Sequence, residues 1–374
     1  MAHAYTPGLK VVENMTITKE RRLPLSGEIL VENNQKVKAE EIVARTNLPG
    51  KVQTLNVAGL LGILPEEIEQ SMLKKPGDAI KKEEVIAESK GFFGLFKSQV
   101  RSPIDGVIES ASKITGQVIL REPPIRVEVS AYIDGRVVEV IGKEGVRIES
   151  YGSFIQGIFG VGGEAIGVIK KAVDSPDELL TGDKIHDDCE GKILIGGSGL
   201  DIGAIQKAAE KGARGIVVGG IEDKVLRAYL GYDIGVAITG QEKVPLTLVI
   251  TEGFGQLRMA ERTFRLLTHH ENRKSSINGA TQIRAGVIRP EVIVPLVEKV
   301  GEEHKGMVME QGLTVGMPVR IIREPYFGRL GKVSSLPVNL TKIETEAKVR
   351  VLEVELDGGE KVLLPRANVE IIEG

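Results

Sequence analysis

Residues 102–122 read SPIDGVIESASKITGQVILRE, and residues 131–150 repeat the same pattern as AYIDGRVVEVIGKEGVRIES. Both stretches open with Ile-Asp-Gly, and the two openings lie 29 residues apart. Apolar and polar residues then alternate until a second turn that contains glycine. Alternation with a period of two, joined by glycine-containing turns, predicts two β-hairpins. Lys113 lies in the predicted turn of the first hairpin.

The N-terminal part of the chain contains more of this pattern. A common pattern occurs in residues 25–44 and 74–89: a glycine is followed a few residues later by a valine or isoleucine and then by a Glu-Glu pair. Between these two segments, residues 64–73 have helical character, with Pro65 at the first turn. Together these segments resemble the barrel-sandwich hybrid of biotinyl and lipoyl carrier domains, which also occurs in RnfC-type electron-transport subunits and in RNA polymerase insertions. The resemblance implies a β-rich domain over residues 1–173.

The resemblance also raises the question of a modified lysine at Lys113. Carrier domains hold that lysine at the tip of an exposed hairpin, in a context that looks like Met-Lys-Met for biotin and Asp-Lys-Ala for lipoate. This chain has Ser112-Lys113-Ile114. We therefore expect a solvated, unmodified lysine. A carrier protein modified at this lysine remains one hypothesis for function, and it ranks third after the two that are given below.

The hydrophobic period changes after an acidic, turn-rich segment at 174–190, which we interpret as a linker. Buried-strand patterns alternate with helical spacing, and this alternation predicts an α/β domain over 191–273 with a mostly parallel sheet. Residues 153–172 contain Gly160, Gly162 and Gly163, but the segment favours closely packed strands over a dinucleotide loop. The predicted strands are 192–199, 214–221, 233–240 and 245–255, and the predicted helices are 200–212, 222–231 and 256–271.

Glycine-rich loops follow three of these predicted strands. The carboxyl ends of parallel strands form the usual ligand edge of an open sheet, and glycine there lets a backbone approach an anion. This edge gives the second hypothesis, an enzymatic or small-anion-binding α/β domain; the alternative is that the glycines only make tight turns. The candidate residues are Gly196, Gly197, Ser198, Gly199, Gly219, Gly220, Thr251, Glu252, Gly253 and Gly255.

The C-terminal region, residues 313–374, resembles the KOW element of NusG-type transcription factors and several ribosomal proteins. The resemblance depends on Gly316 before VRII, then on Pro325, Phe327, Gly328, Gly331 and Val333. Residues 348–356 and 360–365 flank an Asp-Gly-Gly turn and predict a hairpin.

Between the α/β and KOW-like regions, residues 274–295 predict two strands. These strands either complete the N-terminal barrel or begin the third domain, and a connector continues to residue 312.

Basic and aromatic residues interleave in the KOW-like segment, a composition that suits RNA. Residues 313–374 nevertheless contain nine Lys/Arg and nine Asp/Glu, without the basic excess of a dedicated RNA binder. KOW domains also bind proteins, so the resemblance implies a protein, ribonucleoprotein or RNA partner. The candidate contact residues are Arg320, Arg323, Tyr326, Phe327, Arg329 and Lys332.

Composition limits the remaining chemistry. The formal net charge is −3, Cys189 is the one cysteine, and no run of eighteen apolar residues occurs. These features argue against an internal disulfide, a global attraction to nucleic acid and a transmembrane span, and we expect a cytoplasmic chain without membrane contact. Residues 186–190 read HDDCE, but neighbouring ligand types rarely converge on one ion, so neither a metal nor a cofactor is expected.

The sequence thus predicts a multidomain α and β protein that consists of a barrel-sandwich-like β domain, a central α/β domain and a small KOW-type β-barrel. The leading hypothesis for function is a non-catalytic adaptor that binds a macromolecular partner, such as the transcription or translation machinery, through the KOW-like domain. The sequence does not define the oligomeric state.

Overall fold

The protein is strand-rich, with one mixed sheet at its centre and a curled sheet at its C-terminus. The computed structural model describes residues 9–89, 98–232, 240, 242–282, 288–296, 315–321, 325–326, 329–337, 340–342, 348–356 and 359–373. Among the described residues, hydrophobic cores lie under these elements; the largest, the central core, includes Ile193, Val217 and Val249, and another, in the N-terminal region, includes Ile68 and Ile108.

The N-terminal region contains short strands that form small antiparallel sheets. Strands β5, β10, β9 and β6 form one sheet, β11, β4 and β2 a second, and β7 and β8 a third. The bounds are β1 (Leu9–Arg22), β2 (Glu28–Ile29), β3 (Lys36–Val37), β4 (Ile42–Leu48), β5 (Val52–Asn56), α1 (Val57–Leu61), α2 (Ile68–Ser71), β6 (Ala79–Ile80), β7 (Val85–Glu88), β8 (Gln99–Arg101), β9 (Gly106–Ala111), β10 (Gln117–Arg121) and β11 (Ile125–Ser130).

The two hairpins that Ile-Asp-Gly opens are both confirmed. Strands β9 and β10 pair antiparallel, with Val118 opposite Ala111. Strands β12 (Gly135–Ile141) and β13 (Gly145–Gln156) pair in the same way. The helical character of 64–73 is also confirmed, because a 3-10 turn at Pro65–Glu67 leads into α2.

Strand β1 connects the N-terminal region to the rest of the molecule. It runs antiparallel to β13 from Val11, opposite Ile155, to Arg22, opposite Gly145. Strand β3 extends the same sheet by pairing with β12. A core that includes Ile17, Val43 and Ile148 lies beneath these strands.

The central sheet contains parallel strands in the order β15, β17, β19 and β20, bordered by antiparallel neighbours. Strand β14 pairs antiparallel with β20, β21 with β15, and β22 with both β21 and β13. The bounds are β14 (Phe159–Val161), β15 (Glu164–Lys171), β16 (Leu179–Leu180), β17 (Lys192–Ile195), β18 (Gly199–Leu200), α3 (Ile202–Glu210), β19 (Gly215–Ile221), α4 (Asp223–Leu230), β20 (Thr247–Phe254), α5 (Glu261–His269), β21 (Lys274–Asn278) and β22 (Glu291–Pro295).

The parallel strands form where the sequence is continuously apolar. All seven residues of β19, GIVVGGI, are buried, as expected for a parallel strand that is covered on both faces. Asp201 caps the N-terminus of helix α3, and its carboxylate accepts a hydrogen bond from the Ala204 amide at 2.7 Å. Gly231 caps the C-terminus of helix α4 and adopts a φ of +78°. The predicted order of strands and helices in this region is therefore confirmed for the described residues.

Three other predictions concern the borders of the central sheet. The segment 174–190 contains β16 and two 3-10 turns, and Leu180, Ile185 and Cys189 are buried in the central core. The two strands predicted in 274–295 are confirmed as β21 and β22, and β22 joins the sheet of β13. The strand predicted at 233–240 lies outside the described residues, apart from Gly240.

The C-terminal sheet curls into a half-barrel around a small core that includes Ile321, Val333 and Leu352. The predicted hairpin is confirmed as β26 and β27, and β28 runs parallel to β1, with Ile372 opposite Leu9. The bounds are β23 (Pro318–Ile321), β24 (Leu330–Ser335), β25 (Leu340–Lys342), β26 (Lys348–Leu356), β27 (Lys361–Pro365) and β28 (Val369–Glu373).

Candidate functional site

The carboxyl ends of β17, β19 and β20 lie together, as the sequence predicts for neighbouring parallel strands. We call residues 196–199, 219–222 and 252–258 the glycine loops; they include Gly199 of β18 and the last residues of β19 and β20. The Gly219 amide donates to the Gly197 carbonyl at 2.8 Å, which joins the first two loops. The third loop is joined to the first by Gln256, whose Nε2 donates to Ser198 Oγ at 3.3 Å.

Several backbone amides of the glycine loops donate hydrogen bonds within the protein. Gly196 donates to the Val217 carbonyl at 2.9 Å, Ser198 to the Glu178 carbonyl at 2.9 Å, and Gly255 to the Ile221 carbonyl at 2.8 Å. The carboxylate of Asp201 already caps the N-terminus of α3. These amides are therefore satisfied without a phosphate or carboxylate ligand.

A small cavity of about 120 Å³ opens beside these loops. Its lining includes Gly199 and Gly255, but also the carboxylates of Asp201 and Glu222. The Lys224 ammonium, which also lines it, pairs with Glu222 at 2.6 Å. Two carboxylates and one cation give the cavity a negative balance, which does not favour an anionic ligand.

Close backbone packing accounts for several glycines of these loops. A Cβ atom at Gly219 would overlap the carbonyl oxygen of Leu257, and one at Gly220 would overlap that of Gly255. A Cβ atom at Gly197 would overlap the carbonyl oxygens of Ser175 and Glu178. These positions admit only glycine because neighbouring loops approach through their backbones.

Glu252 lies at the centre of a buried polar cluster. Its Oε1 accepts hydrogen bonds from the Ala260 amide at 3.0 Å and from Thr251 Oγ1 at 3.2 Å. Its Oε2 accepts a hydrogen bond from Nη2 of Arg320, which comes from the C-terminal sheet. Every carboxylate oxygen of Glu252 is thus engaged by a protein group.

Arg320 does not lie on the surface where a partner contact was predicted. It is 3% exposed, and its Nη1 donates to the Thr251 carbonyl at 3.2 Å. Burial lowers the pKa of the guanidinium, and the charge of Glu252 opposes that effect. A guanidinium enclosed between two sheets and paired with a carboxylate cannot contact an external phosphate, so its role here is to connect the sheets.

The other candidate contact residues are divided between exposed and undescribed positions. Arg329 and Lys332 are exposed, and Tyr326 is half-buried. The Arg329 guanidinium lies 5.8 Å from the centroid of the Tyr326 ring and pairs with Glu360 at 2.8 Å. Arg323 and Phe327 lie outside the described residues.

Lys113 lies in the turn between β9 and β10. Its side chain is 57% exposed, and its ammonium pairs with Glu69 of α2 at 2.8 Å. The exposed side chain agrees with the solvated lysine that the sequence context predicts.

The HDDCE segment does not form a converging ligand set. Cys189 is buried in the central core, whereas Asp188 pairs with Lys170 and Asp187 pairs with Lys211. Within the described part of the chain, no group of three or more His, Cys, Asp or Glu side chains is arranged to hold a metal ion.

A buried serine–histidine pair was not predicted. Ser153 Oγ lies 2.7 Å from His270 Nε2 and donates its proton to the Glu13 carbonyl at 2.6 Å. The serine must therefore accept a hydrogen bond from His270 Nε2–H, which fixes the neutral tautomer of the ring. Both residues are almost fully buried, so the pair is structural. No spacing signal could identify it, because 117 residues separate the partners.

Comparisons with known proteins give no assignment: no protein-family model matches the chain, and no curated protein matches it either. Among the described helices, none has the length and apolar character needed to cross a membrane.

Proposed function

We propose that the chain is a non-catalytic adaptor that presents its C-terminal sheet to a macromolecular partner. The observation that carries the proposal is the buried ion pair between Arg320 and Glu252. Together with the parallel pairing of β28 and β1, it attaches the C-terminal sheet to the central sheet in one orientation. A sheet held in this way binds a partner without first losing orientational freedom.

The exposed residues at the start of β24 and on its solvent side have the chemistry of a contact surface. Arg329 and Tyr326 lie close enough for a cation–π contact, and Lys332 is exposed on the next strand. Arginine and tyrosine are enriched in the residues that contribute most to protein interfaces. The balanced charge of residues 313–374 favours a protein over naked RNA, and a protein of the transcription or translation machinery fits the KOW resemblance.

The proposal also gives the N-terminal region a role in recognition. Its two confirmed hairpins and small antiparallel sheets support a barrel-sandwich hybrid that carries no prosthetic group. In this scheme it is a second recognition module, attached to the central sheet through β1.

The test is affinity capture with the full-length protein from its own lysate, with and without nuclease. The double variant Arg329→Ala/Lys332→Ala is compared with Lys361→Ala, which removes another exposed lysine of the C-terminal sheet. We expect the double variant to lose ribosomal or polymerase subunits that wild type and Lys361→Ala retain. Equal capture by all three proteins would contradict the proposal, and loss on nuclease treatment would identify nucleic acid as the bridging component.

A further inference from the structure

Helix α5 carries exposed basic side chains that are separate from the surface at β24. The helix contacts β15 and β17 of the central sheet, and its buried residues are Thr263, Phe264, Leu266 and Leu267. Arg262, Arg265 and His269 are exposed and recur at intervals of three and four residues, so they lie on one side of the helix. Arg273 is exposed just beyond the C-terminal end of the helix, where its amide donates to the His270 carbonyl at 3.0 Å. We call Arg262, Arg265, His269 and Arg273 the α5 basic row.

The three arginines of this row have no carboxylate partner among the described residues. Glu261, which lies one turn before Arg265, pairs instead with Arg258 at 2.6 Å. Glu271 accepts a hydrogen bond from the Lys171 amide at 3.2 Å. The arginines of the row therefore present their charge to solvent.

Other accessible arginines of the protein are neutralised by nearby carboxylates. Arg126 pairs with Glu128 at 2.5 Å, and Arg147 pairs with Glu139. Since the net charge of the chain is −3, the α5 basic row is a local positive surface on a weakly acidic protein.

Helix stability does not account for the position of these arginines. The helix dipole favours cations in the last turn and disfavours them in the first, yet Arg262 is the second residue of α5. Residues three apart are neighbours on a helix surface, so Arg262 and Arg265 also repel each other. An anion that lies against both side chains would remove this repulsion.

The chemistry of the row selects the kind of anion. A guanidinium binds a phosphate through two parallel N–H donors, and the Cα atoms of Arg262 and Arg265 are about 4.5 Å apart along the helix axis, so their long side chains reach neighbouring phosphates of one strand. The exposed residues of α5 are Glu261, Arg262, Arg265 and His269. None of them is apolar, so the helix lacks the side chains that membrane insertion or the apolar centre of a protein interface needs.

From these observations we propose that the α5 basic row binds the phosphate backbone of a nucleic acid. Arg262, Arg265 and Arg273 hold phosphates, and contacts of this kind give affinity without reading the base sequence. The row is separate from the surface at β24, so either proposal can fail without the other.

The test is fluorescence anisotropy of the full-length protein with labelled single-stranded RNA of about 16 nucleotides, the single-stranded DNA of the same sequence and its duplex. Arg262→Gln/Arg265→Gln should weaken binding at least about tenfold at about 50 mM salt. On a single strand, the slope of log Kd against log salt concentration should also fall by about 1.4, because two phosphate contacts are lost. The nucleic acid that binds most tightly identifies the source of the phosphates.

The matched control is Arg126→Gln/Arg147→Gln, which removes the same charge from β11 and β13 and should bind within about twofold of wild type. Circular dichroism of both double variants should show the wild-type fold, since the substituted side chains reach solvent.

Four outcomes would overturn the proposal. In the first, none of the three nucleic acids binds at low salt; in the second, the two double variants bind alike. In the third, Arg329→Ala/Lys332→Ala loses binding and Arg262→Gln/Arg265→Gln does not, which assigns the nucleic acid to the surface at β24. In the fourth, poly-glutamate binds as tightly as the nucleic acids and with the same dependence on Arg262 and Arg265, which assigns the row to an acidic protein segment.

Discussion

Arg320 of β23 and Glu252 of β20 form an ion pair in which neither side chain is more than 7% exposed. Sixty-eight residues separate them in the chain, and they belong to different sheets. Moving two charges out of water is unfavourable unless hydrogen bonds satisfy both. Glu252 meets that condition through the Ala260 amide and Thr251, and Arg320 does so in part through the Thr251 carbonyl.

Breaking this pair from one side should destabilise the protein strongly. Arg320→Met leaves Glu252 buried without a counter-charge, and we expect a loss of about 3 to 5 kcal/mol in the free energy of unfolding. The measurement is a urea titration followed by circular dichroism. Arg329→Met, which removes an exposed guanidinium, should change the free energy by less than about 1 kcal/mol.

The double variant Glu252→Gln/Arg320→Met separates charge from packing. A glutamine keeps the acceptor for the Ala260 amide but carries no charge, so more than half of the lost stability should return. If the double variant is as unstable as Arg320→Met alone, the ion pair is not the source of the loss.

His270 should make stability depend on pH in the weakly acidic range. Burial lowers the pKa of the ring, Arg273 and His269 lower it further, and only Glu13 opposes them. Nδ1 has no hydrogen-bond partner among the described residues, so a proton there would be buried without an acceptor. The unfolded chain therefore takes up a proton at a higher pH than the folded protein.

The sign of the pH effect follows from that difference. Above the ordinary histidine pKa near 6.5, both states are neutral at this residue and its effect is absent. As the pH falls below 6.5, the unfolded state binds more protons and the free energy of unfolding decreases. His270→Gln should flatten the curve between about pH 6.5 and pH 5. Equal slopes in wild type and His270→Gln would contradict this assignment.

The parts of the fold that were predicted correctly are those that neighbouring residues determine. The Ile-Asp-Gly hairpins follow from turn residues and alternation within about twenty residues. The apolar run of β19 and the helical spacing after Asp201 define the βαβ order in the same local way. The meeting of the glycine loops was also predictable, because the carboxyl ends of adjacent parallel strands share one edge.

The parts that were missed depend on partners distant in the chain. Strand β1 was not predicted, since Glu, Asn, Thr and Lys interrupt its apolar residues, and its pairing with β13 gives it a half-buried pattern. Arg320 has the sequence context of a surface arginine, and only the packing of β23 on β20 buries it. A cavity beside Tyr151 is lined by residues of β3, β12, β13 and β22, four strands that no local pattern brings together.

The glycine loops should tolerate no side chain where backbones cross. Gly219→Ala would force its Cβ into the carbonyl oxygen of Leu257, and we expect it to cost about 3 kcal/mol in the free energy of unfolding. Gly231→Ala is the matched control, because it has a positive φ but open space around the Cβ position. That control should cost only about 1 kcal/mol, the penalty of the left-handed conformation. Similar losses at both positions would show that loop crossing does not explain Gly219.

Lys113 should be unmodified and should contribute little to the free energy of unfolding. Its ion pair with Glu69 joins two side chains that are each more than half exposed, and such surface pairs contribute about 1 kcal/mol or less. Lys113→Gln should therefore change the free energy of unfolding by less than about 1 kcal/mol. The decisive measurement is the intact mass of the protein purified from its own cells, which should equal the mass of the unmodified chain. An added mass that matches biotin or lipoate and disappears in Lys113→Gln would instead make the chain a carrier protein. In that case a modifying ligase would recognise the hairpin turn that holds Lys113.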